Sequence, residues 1–328
     1  MTRGPDERAS DLDGRVGLVI PTWNGGNRFE KVMEMWRAQT GVGAIEMVCP
    51  DSGSGDDSAT VATRAGARVV PVDQATFSHG GTRNDAVADL DREFIILSVQ
   101  DALPLTPTLA RDLVAPLAED PDLCATFGRQ VPLAGCHPVL RDRIGAWAGG
   151  DDVVVQQLGE QRWEDLEPME RLGLIRYDHV IACMRRSVWE HHAFAPVSFG
   201  EDIDWALRVI RDGGRIAFVP GATVEHSHDR PAWDEARRIY CDHRNLVRLV
   251  GLVTVPSLAD LRRNVPAARA HYAALIDAVE GVDDMTRRHW HDWARRLAQY
   301  ENWAQFLGAN LGRRWWFTPI DRWLRRGI

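Results

Sequence analysis

The feature that most constrains this chain is a regular alternation of short apolar runs and helical segments over its first hundred residues. Apolar runs of strand length occur at residues 16–20, 45–49, 67–72 and 94–99, and segments with helical spacing lie between them at 29–39, 58–65 and 82–88. This strand–helix–strand series predicts an α/β fold with a mostly parallel, twisted sheet. Functional side chains are expected in the loops that follow the carboxyl ends of such strands.

The alternation becomes less regular after about residue 103, and the chain from about residue 231 has a helical pattern throughout. We predict helices at 109–117 and 188–192, a helix from Asp202 to Gly213, and strands at 177–183 and 216–219. The sequence thus predicts a flexible leader at 1–13, an α/β domain at 14–230 and a helical C-terminal region at 231–328. The α/β domain would consist of two halves that meet near residue 103.

Composition indicates a globular protein of the cytoplasm. The chain has 328 residues, of which 45% are hydrophobic, and this is enough for a sizeable core. No stretch approaches the ~18 uninterrupted apolar residues of a membrane span, and the polar N-terminus shows no signal peptide. The five cysteines are scattered and odd in number, which favours reduced core thiols over a disulfide framework or a zinc site.

A basic, tryptophan-rich segment closes the sequence. From Met285 onward, nine arginines against three acidic residues give a net charge of +6, so the rest of a chain with −8 overall carries −14. The same segment contains six of the 13 tryptophans. Tryptophan with arginine suits peripheral contact with an anionic membrane, but the same residues would serve equally as a helical core or a homo-oligomer contact.

Two loops are expected side by side at the ends of the first two strands. They are Pro21-Thr22-Trp23-Asn24 and Asp51-Ser52-Gly53-Ser54. Thr22 supplies a hydroxyl, Trp23 a flat aromatic face and Asp51 an acceptor for an imino N–H, a set that suits a pyrimidine base. Clusters of Ser, Gly and Asp more often form ordinary turns, so the second loop does not decide the matter by itself.

A double glycine provides a third candidate, in Phe77-Ser78-His79-Gly80-Gly81-Thr82-Arg83-Asn84. Glycine lets the backbone approach a ligand closely. Arg83, near the start of the next predicted helix, would direct a guanidinium toward the same diphosphate as the helix N–H groups. The two glycines would serve equally to turn the chain, with Arg83 solvated.

A carboxylate and nearby imidazoles suggest a site for a divalent cation. Gln100-Asp101 closes the fourth predicted strand, so Asp101 should project from the strand end. One carboxylate does not hold Mg²⁺ or Mn²⁺ unaided, and His226 or His228 would supply a further ligand. A strand-end Asp also caps turns and a His after a strand is often structural, so both interpretations stay open.

Several acids open the helix predicted from Asp202, in the segment Phe199-Gly200-Glu201-Asp202-Ile203-Asp204-Trp205. Acids in a first turn satisfy free N–H groups and complement the helix dipole, so capping explains them as well as catalysis does. Only the other candidate residues favour a functional role here.

Taken together, these motifs resemble the inverting nucleotide-sugar glycosyltransferases of family 2, which have the GT-A fold, from about residue 16 to residue 249. Within that family, the segments 77–84, 100–104, 128–132 and 199–205 are similar to bacterial rhamnosyltransferases, whose donor is dTDP-L-rhamnose. The family's Asp-x-Asp motif is incomplete, because its earlier acid is replaced by Val99 or Gln100.

The resemblance implies a role for each candidate. Asp202 would be the catalytic base, Asp101 and His226 would hold the metal, and Arg83 would bind the ribose-diphosphate. The residues expected to bind the donor nucleotide are Pro21, Thr22, Trp23, Asn24, Asp51, Ser52, Gly53, Gly80, Gly81, Arg83, Asn84 and Gln100. Weaker candidates for the acceptor or for supporting contacts are Arg129, Gln130, Glu201, Asp204, Trp205 and His228.

The predicted reaction is a Mg²⁺- or Mn²⁺-dependent transfer of a sugar, by the resemblance L-rhamnose, to a hydroxyl of a glycan, a lipid-linked acceptor or a small molecule. No nucleic-acid partner is expected. Three alternatives stay open: a transferase of the same fold that uses a UDP-sugar, a sugar nucleotidyltransferase, and a non-catalytic binding or membrane-docking module. The nucleotidyltransferase is disfavoured because the first loop has no basic residue before Arg28.

Overall fold

The computed structural model describes residues 12–327, which form two compact units. The first unit comprises residues 12–131, 147–166 and 173–226, and the second comprises 132–146, 167–172 and 227–327. The predicted leader at 1–13 lies outside the described residues except for Leu12 and Asp13, and Leu12 is buried in the core of the first unit. Across residues 12–327, none of the helices has both the length and the apolar content that crossing a bilayer requires.

A nine-stranded mixed sheet forms the centre of the first unit. The strands are β1 (Val16–Val19), β2 (Ile45–Asp51), β3 (Arg68–Pro71), β4 (Phe94–Ser98), β5 (Leu103–Pro104), β6 (Leu123–Val131), β7 (Val154–Gln156), β8 (Ile181–Arg185) and β9 (Arg215–Glu225). Their order is β3-β2-β1-β4-β8-β6-β9-β5, and β7 also pairs with β9. The first four strands are parallel, as predicted, whereas β8 is antiparallel to both of its neighbours.

Helices flank the sheet and form the second unit. They are α1 (Gly26–Arg37), α2 (Ser58–Arg64), α3 (His79–Ala88), α4 (Leu109–Glu119), α5 (Pro138–Ala148), α6 (Pro168–Leu174), α7 (Arg186–His191), α8 (Glu201–Arg211), α9 (Ala232–Leu249), α10 (Leu258–Asp277), α11 (Asp284–Asn310) and α12 (Thr318–Arg325). Every residue of β1 and β4 is buried, as expected of apolar strands covered on both faces. In α1, Phe29, Val32, Met33 and Trp36 form the buried stripe.

The prediction for the start of α3 was wrong by three residues. The helix begins at His79 because Ser78 caps it, and the Ser78 hydroxyl accepts a hydrogen bond from the Gly81 N–H at 3.1 Å. Gly80 and Gly81 therefore lie in the first helical turn and not in a loop. Gly80 is buried, and a Cβ there would lie 2.9 Å from the Ala195 carbonyl oxygen, so this glycine permits a close approach to a neighbouring segment.

Other strand predictions also need correction. β8 begins at Ile181, four residues later than predicted, because the Asp178 carboxylate accepts a hydrogen bond from the Val180 N–H at 3.0 Å and folds the preceding segment into a turn. β9 continues past the predicted end at residue 219, through Pro220, and pairs with β6 as far as Glu225. The strands β5, β6 and β7 were not predicted at all.

The second unit is built from long helices around a separate core. Val139, Tyr272, Ile276, Ala294 and Leu297 are among its buried residues. Glycines bring the end of α11 close to α9: a Cβ on Gly308 would lie 2.6 Å from the carbonyl oxygen of Tyr240. Within residues 231–327 the chain forms the four α-helices α9 to α12 and a short 3-10 helix at Trp315–Phe317.

Candidate active site

The loops after β1 and β2, here called the strand-end loops (residues 20–26 and 51–58), lie side by side. Thr22 and Asp51 form an isolated parallel bridge, and the Ser52 N–H donates to the Thr22 carbonyl at 3.0 Å. Asn24 has a left-handed φ of 48°, and its N–H donates to the Ser54 hydroxyl at 3.0 Å. The two loops predicted to be neighbours are therefore joined by direct hydrogen bonds.

Trp23 is an exposed aromatic residue of these loops. Its side chain is 55% exposed, while its N–H and carbonyl are held by the Gln100 side-chain amide at 2.7 and 3.0 Å. This two-point contact fixes the backbone from which the indole is presented. Thr22 is buried and its hydroxyl donates to the Ile20 carbonyl at 3.0 Å, and the half-buried Pro21 connects it to β1.

Asp51 stabilises its own loop. Its carboxylate accepts hydrogen bonds from the Gly53 N–H at 3.1 Å, the Ser54 N–H at 3.0 Å and the Ser54 hydroxyl at 2.5 Å. A carboxylate has about four acceptor positions, so one is left for a ligand. The Asp51 carboxylate can therefore hold the turn and contact a base at the same time, although the sequence left these two roles as alternatives.

Two predicted donor-binding residues on α3 make their contacts within the protein. Arg83 is 4% exposed, and its guanidinium donates to the Glu201 carboxylate at 2.9 Å. The Asn84 amide donates to the Phe194 carbonyl and accepts from the Trp189 indole N–H, both at 2.9 Å. Arg83 is thus part of a buried ion pair, and a contact of either residue with the donor remains a prediction.

Asp101 and His226, here called the metal pair, lie close together within the first unit. The Asp101 Oδ1 is 3.5 Å from the His226 Nε2, although the residues follow different strands, β4 and β9. His226 is 9% exposed, its Nδ1 lies 2.9 Å from the Gln130 Oε1, and its N–H donates to the Val131 carbonyl at 2.9 Å. Gln130 therefore fixes the orientation of the imidazole.

The metal pair has the ligand chemistry of a divalent cation site. When Nδ1 of neutral His226 donates to Gln130, the Nε2 lone pair faces the Asp101 carboxylate, and two facing acceptors need a proton or a cation between them. Adjacent ligands of an octahedral ion bound at about 2.1 Å are about 3 Å apart, close to the observed separation. His228 belongs to the second unit, and its predicted role as a ligand or supporting residue remains a prediction.

A second group of residues, here called the acid cluster, consists of Arg83, His179, Glu201 and Asp202. Glu201 is 7% exposed and lies 2.9 Å from the Arg83 guanidinium and 3.5 Å from the His179 Nδ1. Burial opposes ionisation, but the nearby imidazole of His179 and the charge of Arg83 outweigh it and hold the pKa of Glu201 well below its usual range. Glu201 is thus an ionised carboxylate that pairs with Arg83 and lies beside His179.

Asp202 has the opposite electrostatic environment. Burial raises the pKa of Asp202 above its ordinary value, and the negative charges of Glu201 and Asp178 raise it further. The third acid of the helix start, Asp204, is buried and pairs with Arg208 at 3.2 Å. Of the three acids, Asp202 is therefore the one suited to exchange a proton near neutral pH.

Asp178, which the sequence did not single out as a functional residue, lies between the metal pair and the acid cluster. Its carboxylate accepts from the Gln130 amide and from the Trp147 indole N–H, both at 3.0 Å. Burial raises the pKa of Asp178, and the charge of Asp178 in turn raises the pKa of Asp202. The partners lie 48 and 31 residues away in sequence, so no local motif could have indicated this network.

Arg28 is another contributor that sequence reasoning missed. Its guanidinium donates to the Asp101 carbonyl at 2.7 Å and to the Glu225 carbonyl at 2.7 Å. Asp101 is a member of the metal pair, and Glu225 is the last residue of β9, directly before His226. Arg28 therefore connects the two backbone segments that carry the metal pair. Its place in the first turn of α1, next to the first strand-end loop, was the available signal.

Two of the weaker candidates are structural in their contacts. Arg129 donates to the Gly150 carbonyl at 2.6 Å. Trp205 is fully buried and stacks on Tyr177 with ring centroids 5.0 Å apart. The indole of Trp205 therefore does not form an exposed platform for an acceptor.

Comparison with curated proteins identifies the chemistry. An O-antigen chain rhamnosyltransferase of Salmonella typhimurium is 29% identical over 232 residues, which is 69% of this chain and 70% of that protein. An O-antigen chain rhamnosyltransferase of Salmonella anatum is 27% identical over 229 residues, 68% of this chain and 69% of that protein. The chain is a glycosyltransferase. The predicted resemblance to rhamnosyltransferases is thereby confirmed, although no family model matches the sequence.

Solved structures identify the fold of this glycosyltransferase. A mannosyltransferase from Pyrobaculum calidifontis, solved with GDP-Man and Mn²⁺, superposes with a TM-score of 0.58 at 16% identity, over 91% of this chain and 88% of that one. Glucosyl-3-phosphoglycerate synthase from Mycobacterium tuberculosis, solved with UDP, gives a TM-score of 0.53 at 21% identity, over 77% and 86%. The GT-A fold is confirmed. The comparisons thus favour glycosyl transfer over the nucleotidyltransferase and the non-catalytic module.

Proposed function

We propose that this glycosyltransferase moves L-rhamnose from dTDP-L-rhamnose to a hydroxyl of a glycan or lipid-linked acceptor, with inversion at the anomeric carbon. The observation that carries the proposal is that the metal pair lies at the same strand ends as the exposed Trp23. The Gln100 side chain binds the Trp23 backbone, and Gln100 is the sequence neighbour of Asp101 in the metal pair. A nucleotide diphosphate needs a flat face for its base beside a cation for its phosphates. The two rhamnosyltransferase relatives support rhamnose as the sugar.

The strand-end loops bind the nucleotide in this proposal. Trp23 stacks on the base from a backbone fixed by Gln100, and the remaining acceptor position of Asp51 receives the imino N–H of the pyrimidine. The buried Thr22 fixes the distance between the two loops. Asn24, Ser52 and Gly53 shape the loops around the base.

The metal pair holds Mg²⁺ or Mn²⁺, an ion that supplies positive charge for the diphosphate as it leaves. Mn²⁺ is present in the solved mannosyltransferase and in the glucosyl-3-phosphoglycerate synthase, which supports a divalent ion in this fold. Gln130 directs the proton of His226 to Nδ1 and so keeps Nε2 available as a ligand. Asp178 in turn holds the Gln130 amide.

Asp202 accepts the proton of the acceptor hydroxyl in a single displacement. Its raised pKa makes it a stronger base than an exposed aspartate, and it is not engaged in the ion pair of its neighbour Glu201. General-base assistance of this kind contributes ~10²–10⁴-fold to the rate. The cytoplasmic location predicted from the sequence remains part of this proposal.

A donor panel tests the proposal. The purified protein is mixed with dTDP-L-rhamnose, a UDP-hexose or GDP-mannose in the presence of Mn²⁺, and thermal stabilisation and donor hydrolysis are measured. We expect dTDP-L-rhamnose to give the largest shift and the fastest hydrolysis. Trp23→Ala should lose the stabilisation, whereas Trp303→Ala, a change at another partly exposed tryptophan in the second unit, should keep it.

A UDP-sugar is the second candidate donor, because a solved relative in fold carries UDP. Stabilisation and hydrolysis with the UDP-hexose, together with an inert dTDP-sugar, would establish that alternative and reject rhamnose. Inactivity with every nucleotide sugar would reject the proposed reaction as a whole.

A further inference from the structure

The C-terminal end of the second unit presents an exposed surface of tryptophan and arginine, here called the Trp–Arg surface. Trp315 is 86% exposed, Trp323 59%, Trp316 55% and Ile320 47%. Large apolar side chains exposed next to one another are unusual on a protein that has no partner for them. The full surface comprises Arg313, Arg314, Trp315, Trp316, Ile320, Arg322, Trp323 and Arg326, and all four of its arginines are exposed.

The exposure follows from helical geometry. Phe317, Asp321 and Leu324 recur at helical spacing and are buried on the inner face of α12 and the turn before it. Trp316, Ile320 and Trp323 recur at the same spacing one position earlier and face outward. The helix thus has one face packed on its own unit and a second, apolar face turned to solvent.

The outward face is held rigidly in place. The buried Asp321 accepts from the Tyr240 hydroxyl at 2.7 Å, pairs with Arg244 at 2.8 Å and pairs with Arg325 at 3.0 Å. Arg237 also donates to the Leu324 carbonyl at 2.8 Å. The contacts with Tyr240, Arg244 and Arg237 of α9 fix the helix, so the exposed tryptophans are displayed by a packed element.

Other tryptophans of the same segment do not share this exposure. Trp290 and Trp293 are half-buried beside His137 and line a cavity of about 610 Å³ within the second unit. Packing, one of the alternatives left open by the sequence, therefore accounts for these two residues. It does not account for the exposed surfaces of Trp315, Trp316 and Trp323, although one side of the Trp323 ring packs against Trp233 with ring centroids 5.5 Å apart.

We propose that the Trp–Arg surface docks on the surface of an anionic lipid bilayer. Tryptophan partitions into the headgroup region, where its apolar ring and N–H are both accommodated, and arginine is attracted to anionic headgroups. A second copy of the chain is a less suitable partner for the Trp–Arg surface. A two-fold contact would bring the same four exposed arginines of each copy face to face without a compensating charge.

Vesicle co-sedimentation tests the proposal without any nucleotide sugar, so its result is independent of the proposed reaction. The full chain should bind vesicles of phosphatidylcholine with phosphatidylglycerol at low ionic strength, and should bind phosphatidylcholine alone much more weakly. Arg313→Gln/Arg314→Gln/Arg322→Gln should weaken binding about 100-fold, on the basis of about fivefold per arginine. Trp315→Ser/Trp323→Ser should also weaken binding while leaving the fold intact, because both side chains are exposed.

A matched control separates a defined surface from overall charge. Arg262→Gln/Arg269→Gln/Arg288→Gln removes the same charge from exposed positions on α10 and α11 and should bind like wild type. Equal losses in both triple variants, or no binding of folded wild type to anionic vesicles, would overturn the proposal. It would also be overturned if the lipid-free protein is a dimer that Trp315→Ser/Trp323→Ser splits into monomers, since the surface would then be a contact between copies.

Discussion

Adjacent carboxylates in the first turn of α8 have opposite electrostatic environments. Glu201 is held ionised by Arg83 and His179, whereas Asp202 has its pKa raised by burial and by the charge of Glu201. Two groups whose pKa values are pushed apart in this way can take different roles. In our account Glu201 sets the environment and Asp202 exchanges the proton.

The first prediction concerns Asp202 itself. Asp202→Asn is nearly isosteric and retains a side-chain oxygen that can accept from the Ile203 N–H, so folding and donor binding should be preserved. Turnover should fall by about 10²–10⁴, the contribution of a general base. The matched control is Asp204→Asn, two residues further along the same helix and paired with Arg208, for which we expect near wild-type turnover once folded. Loss of thermal stability without loss of rate in Asp202→Asn would show that Asp202 stabilises the first helical turn and does not act as the base.

The second prediction concerns Glu201. Glu201→Gln removes a negative charge beside Asp202 and leaves Arg83 positive, so the pKa of Asp202 should fall. Because turnover requires ionised Asp202, the acid limb of the pH–rate profile should move to lower pH. The variant should also lose about 3–5 kcal/mol of unfolding free energy, since a buried charge loses its partner. An acid limb that stays in place or moves to higher pH would contradict the electrostatic coupling.

The third prediction concerns Gln130, which orients the ring of His226. Gln130→Leu keeps the volume but removes the hydrogen bond, so the Mn²⁺ concentration needed for half-maximal rate should rise about 10–100-fold. Titration of the rate with Mn²⁺ measures this directly. An unchanged metal requirement in a folded variant would show that Gln130 does not support the metal pair.

Two glycine positions test how the helices of the second unit pack. Gly308→Ala should lower the unfolding free energy by about 1–3 kcal/mol, because its Cβ would lie 2.6 Å from the Tyr240 carbonyl oxygen. Gly145→Ala, in the exposed interior of α5 with open space around it, should instead stabilise by about 0.5–1 kcal/mol. Chemical denaturation of both variants measures the contrast, and equal effects would show that close packing of α11 on α9 is unimportant.

The elements predictable from sequence are those with strong local patterns. β1 and β4 are continuous apolar runs, and the buried stripe of α1 has clear helical spacing. β6 escaped prediction because Gly128, Arg129 and Gln130 interrupt its apolar pattern, and its pairing with β9 is long-range. The same limit applies to the site: the motifs indicated Asp101 and His226, but the Arg83–Glu201 pair joins residues 118 positions apart and has no local signature.

The two units have different candidate surfaces. The first carries the strand-end loops, the metal pair and the acid cluster, all within one mixed sheet and its helices. The second carries the Trp–Arg surface on a helix fixed by a buried aspartate. Donor hydrolysis therefore reports on the first unit and vesicle binding on the second, so a variant can be assigned to one of them by measuring both.

In the proposed reaction, glycosyl transfer depends on a cation held by Asp101 and His226. The most direct measurement is the rate of dTDP release from dTDP-L-rhamnose as a function of Mn²⁺, for wild type, Asp101→Ala and Asp91→Ala. Asp91 is exposed and precedes β4, whereas Asp101 follows it, so the control alters the opposite end of the same strand. We predict a saturable Mn²⁺ dependence that chelator abolishes, a much higher metal requirement in Asp101→Ala, and a wild-type curve in Asp91→Ala. Full activity in excess chelator, or identical curves for all three proteins, would contradict the account.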